Sequence, residues 1–408
     1  MLGRLRHPVL RSASFSVCFT YPSTRLTLLR LSVMSRPINT APIPSTSVAP
    51  SNCSKFLTKV PPAEPSQRYD SSDAITPTVY GFFEKETSTW QYVAVDPRTL
   101  EAVVIDPVLD YDPSSGKVST STADGLLAFM EHNNISVRRI LETHAHADHL
   151  TAAQYLKQQL GGDVAVCIGE KILQVQQTFA PIYGFDHAAF ANTFDIFLKD
   201  DEEFKLGDIS CRVMHLPGHT PDHLGYVMGK AVFTGDSIFN VSAVIERCLR
   251  AQNFLAALTV MIKSPMSAPP VQISLEGVSN IYTPYAFRIA VVAVLVLPLQ
   301  SQSMQRLLSF PEDHRLFVGH DYPEDRSPSC SATVAEQRAS NKHMKDGTEE
   351  TSFTQWRHDR DAVLGAPRLL HPALQVNVRA GKLPPRDAQG RLFLMTPVKV
   401  DPQIVALL

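Results

Sequence analysis

Thr143-His144-Ala145-His146-Ala147-Asp148-His149 carries more structural information than any other seven residues of this chain. It follows Val137 to Leu141, a short run that reads as a strand. It precedes Leu150 to Leu160, whose apolar spacing is helical and stops at Gly161-Gly162. Side chains of an extended loop alternate with a period of two, so His144 and His146 point the same way. A turn before the helix brings Asp148 and His149 round to a second position. Imidazole and carboxylate are metal-donor types, and this cluster can hold one or two ions.

Further donors stand at the ends of other expected strands. Gln91 to Val95 and Glu101 to Ile105 read as a hairpin around Asp96-Pro97, and Val164 to Ile168 as a strand. Ile209, Cys211 and Val213 alternate with Ser210 and Arg212 and lead into the turn Leu216-Pro217-Gly218-His219-Thr220. A hairpin follows, Leu224 to Met228 and Ala231 to Thr234 joined at Gly229-Lys230, and it ends on Gly235-Asp236. Leu316-Phe317-Val318 is a strand that delivers Gly319-His320-Asp321-Tyr322, after which Thr333 to Met344 and Phe353 to Leu364 read as helices. Strands with intervening helices predict a layered α/β architecture. Strand-end loops on one sheet edge converge, so His144, His146, Asp148, His149, His219, Asp236 and His320 are expected in one metal site.

The chain has 408 residues, 44% hydrophobic and 19% charged, with 38 bases against 40 acids. That excludes wholesale disorder, and the near-neutral balance argues against a surface built to hold nucleic acid. A mean hydropathy of -0.06 does not fit a multi-span membrane protein. The charge is unevenly spread: Met1 to Ala63 holds eight bases and no acid. Residues 1 to about 35, rich in Arg, Ser and Leu, therefore read as a mitochondrial transit peptide; initiation at Met34 is the alternative and would leave the protein cytoplasmic. Residues 36 to 72 are Pro- and Ser-rich and read as a linker that packs no core, with structure beginning near Thr76. The six cysteines are far apart with no C-x-x-C pair, which argues against a disulfide framework or a Cys-type zinc site and for a reducing compartment. The domain is expected over 73–385, with a tail over 386–408. Residues 240–303 form an atypical insertion, after which the helical pattern resumes at Met304. Within that insertion Ile289 to Leu299 is an aliphatic run too short to span a bilayer, so it reads as a buried strand or core helix and no stable membrane insertion is expected.

The motifs resemble the metallo-β-lactamase superfamily, whose αββα sandwich carries donors in this order. The resemblance covers about Tyr80 to Asn240 and Ser303 to Pro385. Thr-His-Ala-His-Ala-Asp-His, Leu-Pro-Gly-His-Thr-Pro-Asp-His, Phe-Thr-Gly-Asp-Ser-Ile-Phe and Gly-His-Asp-Tyr look most like the persulfide dioxygenases (ethylmalonic encephalopathy protein-like and β-lactamase hydrolase-like). Val334 to Arg338 and Leu374 to Gly381 are similar to that branch as well. The resemblance implies oxidation of glutathione persulfide by O₂ to sulfite and glutathione, on one Fe(2+) per chain. It implies His144, His219 and Asp236 as the iron-binding catalytic triad, a facial arrangement with open positions. His146, Asp148, His149 and His320 would orient ligands and water, or hold a second metal. Tyr322 and Arg379 would bind the glutathione end, as hydroxyl donor and carboxylate fork. Glutathione persulfide and O₂ are the expected partners, nucleic acid is not, and a homodimer is compatible.

Two other readings stand beside this one. A hydroxyacylglutathione hydrolase (glyoxalase II-like) would use all seven donors for two Zn(2+) and attack a thioester with a bridging hydroxide. A catalytically impaired chain is the other, because the family's Ala-Arg-Cys-Asp-Phe-Pro-Gly-Gly stretch after Asp236 is replaced here, leaving Arg247-Cys248 inside the 240–303 segment. That segment could be an insertion, a lid or a translated intron.

Overall fold

A computed structural model describes residues 60–161, 163–240, 285–323, 325–363, 366–398 and 400. The expected transit peptide, most of the linker and residues 241–284 of the insertion lie outside the described residues. In chain order the strands are β1 Gln67–Tyr69, β2 Thr78–Glu84, β3 Thr89–Val95, β4 Glu101–Ile105, β5 Val108–Asp112, β6 Lys117–Ser119, β7 Ser136–Leu141 and β8 Leu150–Thr151. They continue with β9 Ala165–Gly169, β10 Ile196–Leu198, β11 Glu203–Leu206, β12 Ile209–His215, β13 Leu224–Met228, β14 Ala231–Gly235, β15 Arg315–Val318 and β16 Ser331–Thr333.

The strands make two large sheets. One runs β1-β2-β3-β4-β7-β9-β10, antiparallel as far as β4 and parallel from β4 on; the other runs β11-β12-β13-β14-β15-β16, parallel only between β14 and β15. Alternation along the strands explains how they stack. In β3 and β4, Trp90, Tyr92, Ala94, Val103 and Ile105 face the second sheet, where Val213, Tyr226, Phe233 and Phe317 meet them. Their neighbours Val93, Val95, Ala102 and Val104 face the other way, onto the helices Ser121–His132, Ala153–Gln159, Ile172–Tyr183 and Leu370–Asn377. On the far side of the second sheet Met214, Val232 and Leu316 pack on Met304, Leu307 and Leu308 of the helix Tyr285–Leu308, and on Val334 and Phe353 of the helices Val334–Ser340 and Glu350–Val363. The result is an αββα sandwich.

Several boundaries differ from the sequence expectation, each for a tertiary reason. Order starts before Thr76: Gln67–Tyr69 adds an edge strand to β2, and the Tyr69 ring meets Phe317 edge-on at 5.2 Å. The helix expected from Leu150 starts at Ala153, because Leu150 and Thr151 pair with Val108 and Leu109 instead. The helix leading to β15 begins at Tyr285 rather than Met304, so the aliphatic run Ile289 to Leu299 is helical and the last residues of the expected insertion belong to a continuous element. Leu297 on it is buried. No described helix is long and apolar enough to cross a membrane. Cys167, Cys211 and Cys330 are buried and free, so none of the described cysteines is bridged.

Phe233 is 1% exposed and contacts Tyr92 and Phe317 at ring-centroid distances of 5.3 and 5.1 Å. Phe233→Ala is expected to lower the unfolding free energy by about 3–5 kcal/mol in urea titrations. A loss below about 1 kcal/mol would mean that the two sheets do not depend on this contact.

Candidate metal centre

Asp106 after β4, residues 142–149 after β7, the turn after β12, Asp236 after β14 and His320 after β15 all stand at C-terminal strand ends of the two sheets. A backbone bond from Leu224 to the Thr143 carbonyl, 2.7 Å, ties one sheet's edge to the other's. The converging side chains are buried: His144, His146, His149, Asp236 and His320 are at most 2% exposed, and His219 is 6%.

His144 is oriented from behind. Thr143 donates its backbone N–H and its hydroxyl to Asp106, at 2.7 and 2.8 Å. With its only hydroxyl proton so engaged, Thr143 Oγ1 can only accept from His144 Nδ1, 3.0 Å away. His144 Nε2 is thereby left with its lone pair facing Asp236 Oδ2 at 4.0 Å. Burial, and then His146 and His223, hold His144 well below the ordinary imidazole pKa; burial does the same for His219. Neutral imidazoles are the form that binds metals.

Asp236 is fixed through its backbone. Its N–H donates to His223 Nε2 at 3.0 Å, which makes His223 Nδ1 the protonated nitrogen, 3.1 Å from Ser237 Oγ. Burial pushes the His223 pKa down to about 3. The Asp236 carboxylate lies 3.5 Å from His219 Nε2 and 3.5 Å from His320 Nε2, yet neither of its oxygens accepts a hydrogen bond. Burial pushes its pKa up to about 6. A buried carboxylate without donors costs several kcal/mol unless a cation supplies the missing field. The donor atoms of His144, His219 and Asp236 all lie within 4.8 Å of one another, so the residues present fit a bound metal ion.

The other four donors lie alongside. His149 Nδ1 and His320 Nε2 are each 3.1 Å from Asp148 Oδ2. His320 Nδ1 lies 3.1 Å from the Ser88 carbonyl, which requires its proton there. His146 Nε2 stands 3.0 Å from Asp106 Oδ1 and 3.5 Å from Glu142 Oε2, while its Nδ1 is buried without a hydrogen-bond partner and its ring centroid lies 4.1 Å from that of His144. Burial alone would lower the His146 pKa, but these two carboxylates raise it well above the ordinary value.

The structure brings all seven expected donors together, and it adds five residues that sequence reasoning assigned no role. Asp106 and Glu142 face His146; Asp222 Oδ2 accepts from Ala145 N at 2.8 Å; His223 carries Asp236. Asn377 is the fifth. Its amide donates to the carbonyls of His146 and His149, at 2.8 and 2.7 Å, and its oxygen accepts from Thr151 N at 2.9 Å. Asp106 and Glu142 carried a signal, a carboxylate flanking an apolar strand, and Asp222 and His223 lie in the motif that already holds His219. Asn377, on a helix 228 residues away from His149, carried none. Tyr322 stacks on His320 with ring centroids 6.0 Å apart. Arg379 is 3% exposed, donates from Nε to Gln375 O at 2.9 Å and lies 4.5 Å over the Phe185 ring. Burial lowers its pKa to about 10.

Gly319 packs so closely on Asp236 that an added Cβ would lie 2.4 Å from Oδ1. Gly319→Ala is therefore expected to displace the carboxylate and weaken metal binding about tenfold or more, with far-ultraviolet circular dichroism unchanged. Wild-type metal affinity in that variant would show that Asp236 is not a ligand.

A family model described as metallo-beta-lactamase superfamily matches residues 88–265. "Beta-lactamase hydrolase-like protein" of Xylella fastidiosa (strain 9a5c) is 37% identical over 79% of this chain, which spans 65% of that relative's length. "Glyoxylase B2" of Dictyostelium discoideum is 34% identical over 78% of this chain and 95% of its own, and a "Probable metallo-hydrolase" of Burkholderia pseudomallei is 34% identical over 79% and 99%. The crystal structure of ETHE1 from Myxococcus xanthus aligns with a TM-score of 0.49 at 21% identity, over 74% of this chain and 99% of that one. The chain belongs to the metallo-β-lactamase superfamily.

Proposed function

We propose that this protein is a persulfide dioxygenase with one Fe(2+) held by His144, His219 and Asp236. The observation that carries the reading is the compact set of two imidazoles and one carboxylate, His144, His219 and Asp236, whose donor atoms lie within 4.8 Å of one another and whose carboxylate accepts no hydrogen bond. Two His and one carboxylate on one face of the metal would leave positions open for ligands beyond these three. Bound there, iron would supply the redox chemistry and bring persulfide and O₂ into contact. The overall change balances as glutathione persulfide, O₂ and water giving glutathione, sulfite and two protons, the terminal sulfur losing four electrons to O₂.

The chain's own residues supply the rest. Thr143 and Asp106 hold His144 in the tautomer that offers Nε2, and His223 holds the Asp236 backbone. His320, with Nδ1 fixed by Ser88, holds Nε2 3.1 Å from Asp148 Oδ2 beside the site. Arg379 has one buried terminal nitrogen without a hydrogen-bond partner, a donor suited to a substrate carboxylate, and the Tyr322 ring lies against His320.

The second reading is a two-metal thioester hydrolase. Its support is the further donor group His146, Asp148 and His149, together with the name Glyoxylase B2 borne by the Dictyostelium relative. It requires both clusters to fill. Metal analysis with O₂ uptake separates the two. Anaerobically purified protein is expected to carry about one iron per chain and to consume O₂ with glutathione persulfide. His144→Ala, His219→Ala and Asp236→Ala should each lose the iron, while His320→Ala keeps most of it. Two zinc ions per chain, thioester hydrolysis and no O₂ uptake would establish the hydrolase instead.

We also propose that residues 1 to about 35 act as a mitochondrial presequence, on their basic, acid-free composition. Fused to a fluorescent reporter they are expected to direct it to mitochondria; a diffuse cytosolic signal would contradict this.

A further inference from the structure

His219 hangs on a turn whose outer side rests on a helix. Gly218 has φ +137, and a Cβ there would lie 2.3 Å from Gln300 Cβ and 2.4 Å from Gln300 Cα. The backbone next to the ligand thus lies directly on the backbone of the Tyr285–Leu308 helix. One turn further along, Ser303 Oγ donates to the Pro217 carbonyl at 2.7 Å. Arg306 adds a bond to the His215 carbonyl at 3.1 Å, where the turn leaves β12. Gln300 and Ser303 are each 4% exposed. Gln300 is itself fixed, because its Oε1 accepts from Arg357 Nη1, and Arg357 is buried and braced by Asp361 at 2.8 Å.

We propose that Ser303 and Gln300 are positioning residues for the metal ligand His219, holding the Pro217–His219 turn where the imidazole meets Asp236. This rests on the metal centre proposed above. The physical reason is the narrow tolerance of a metal site: ligands must stand within about 0.5 Å of their working positions, and a glycine-containing turn does not hold such a position unaided. The helix supplies the stop through Gln300 and the tether through Ser303. Both residues lie inside the 240–303 segment that the sequence sets apart as atypical. Removing that segment through Ser303 would therefore take away two supports of the site, even though it carries none of the seven donors.

The test is cobalt(II) titration of the metal-free full-length chain, read by its visible d–d spectrum and by the dissociation constant. Ser303→Ala is expected to bind cobalt about 10-fold or more weakly and with an altered spectrum. Ser303→Thr, which keeps the hydroxyl, should restore both. Ser301→Ala is the control: this neighbouring hydroxyl is fully buried on the same helix and makes no hydrogen bond, so its loss should leave the cobalt site unchanged. Thermal unfolding verifies that each variant is folded. Wild-type affinity and spectrum in Ser303→Ala, or an equal weakening in Ser301→Ala, would overturn the positioning role alone. A wild-type chain that takes up no cobalt would overturn the metal centre, and this role with it.

Discussion

The Asp236 carboxylate is 1% exposed, accepts no hydrogen bond, and has the ring nitrogens of His144, His219 and His320 within 4.0 Å. A carboxylate so buried, with no hydrogen-bond donor on it, calls for a cation beside it. Much of the architecture can be understood as the means of bringing that one group to its place. It stands at the end of β14, a strand buried along its length, and its backbone is caught by His223. Gly235 and Gly319 allow the chain to pass it closely: side chains there would strike His223 and Asp236 themselves.

The site is also the seam between the sheets. Leu224 N binds the Thr143 carbonyl, Thr89 bridges to His320, and Trp90 N binds the Gly319 carbonyl at 2.8 Å. The donors therefore sit on strand ends that the inter-sheet core already holds in register, which is how a rigid scaffold reaches the accuracy a metal site needs. Outside the sheets, two helical supports reach in from opposite faces. Asn377 clamps the His146 and His149 carbonyls from one side, and the Tyr285–Leu308 helix supports the His219 turn from the other.

What the sequence revealed follows from which signals are local. The strand-end motifs are legible because each donor sits beside its own alternating or apolar strand, so the sequence alone places His144 through His320 together. The hairpins around Asp96 and Gly229 were legible for the same reason. Non-local pairing was not. Leu150 and Thr151 have helical spacing yet pair with β5, and Gln67–Tyr69 sits in a Pro- and Ser-rich stretch yet becomes an edge strand because Tyr69 finds Phe317 and Arg315. Asn377 and Ser303 act through hydrogen bonds over long sequence separations, 228 residues to His149 and 86 to Pro217, and no spacing rule announces such bonds. His146 illustrates the remaining gap. Its place in the motif is that of a ligand, and only the partners Asp106 and Glu142 show which way the ring turns.

The central claim is a single metal bounded by His144, His219 and Asp236. An anomalous-difference map recorded at the iron absorption edge, from crystals of the iron-loaded protein, tests it most directly. The account predicts one peak per chain, in contact with those three side chains. A second peak, in contact with His146, Asp148 and His149, would contradict it.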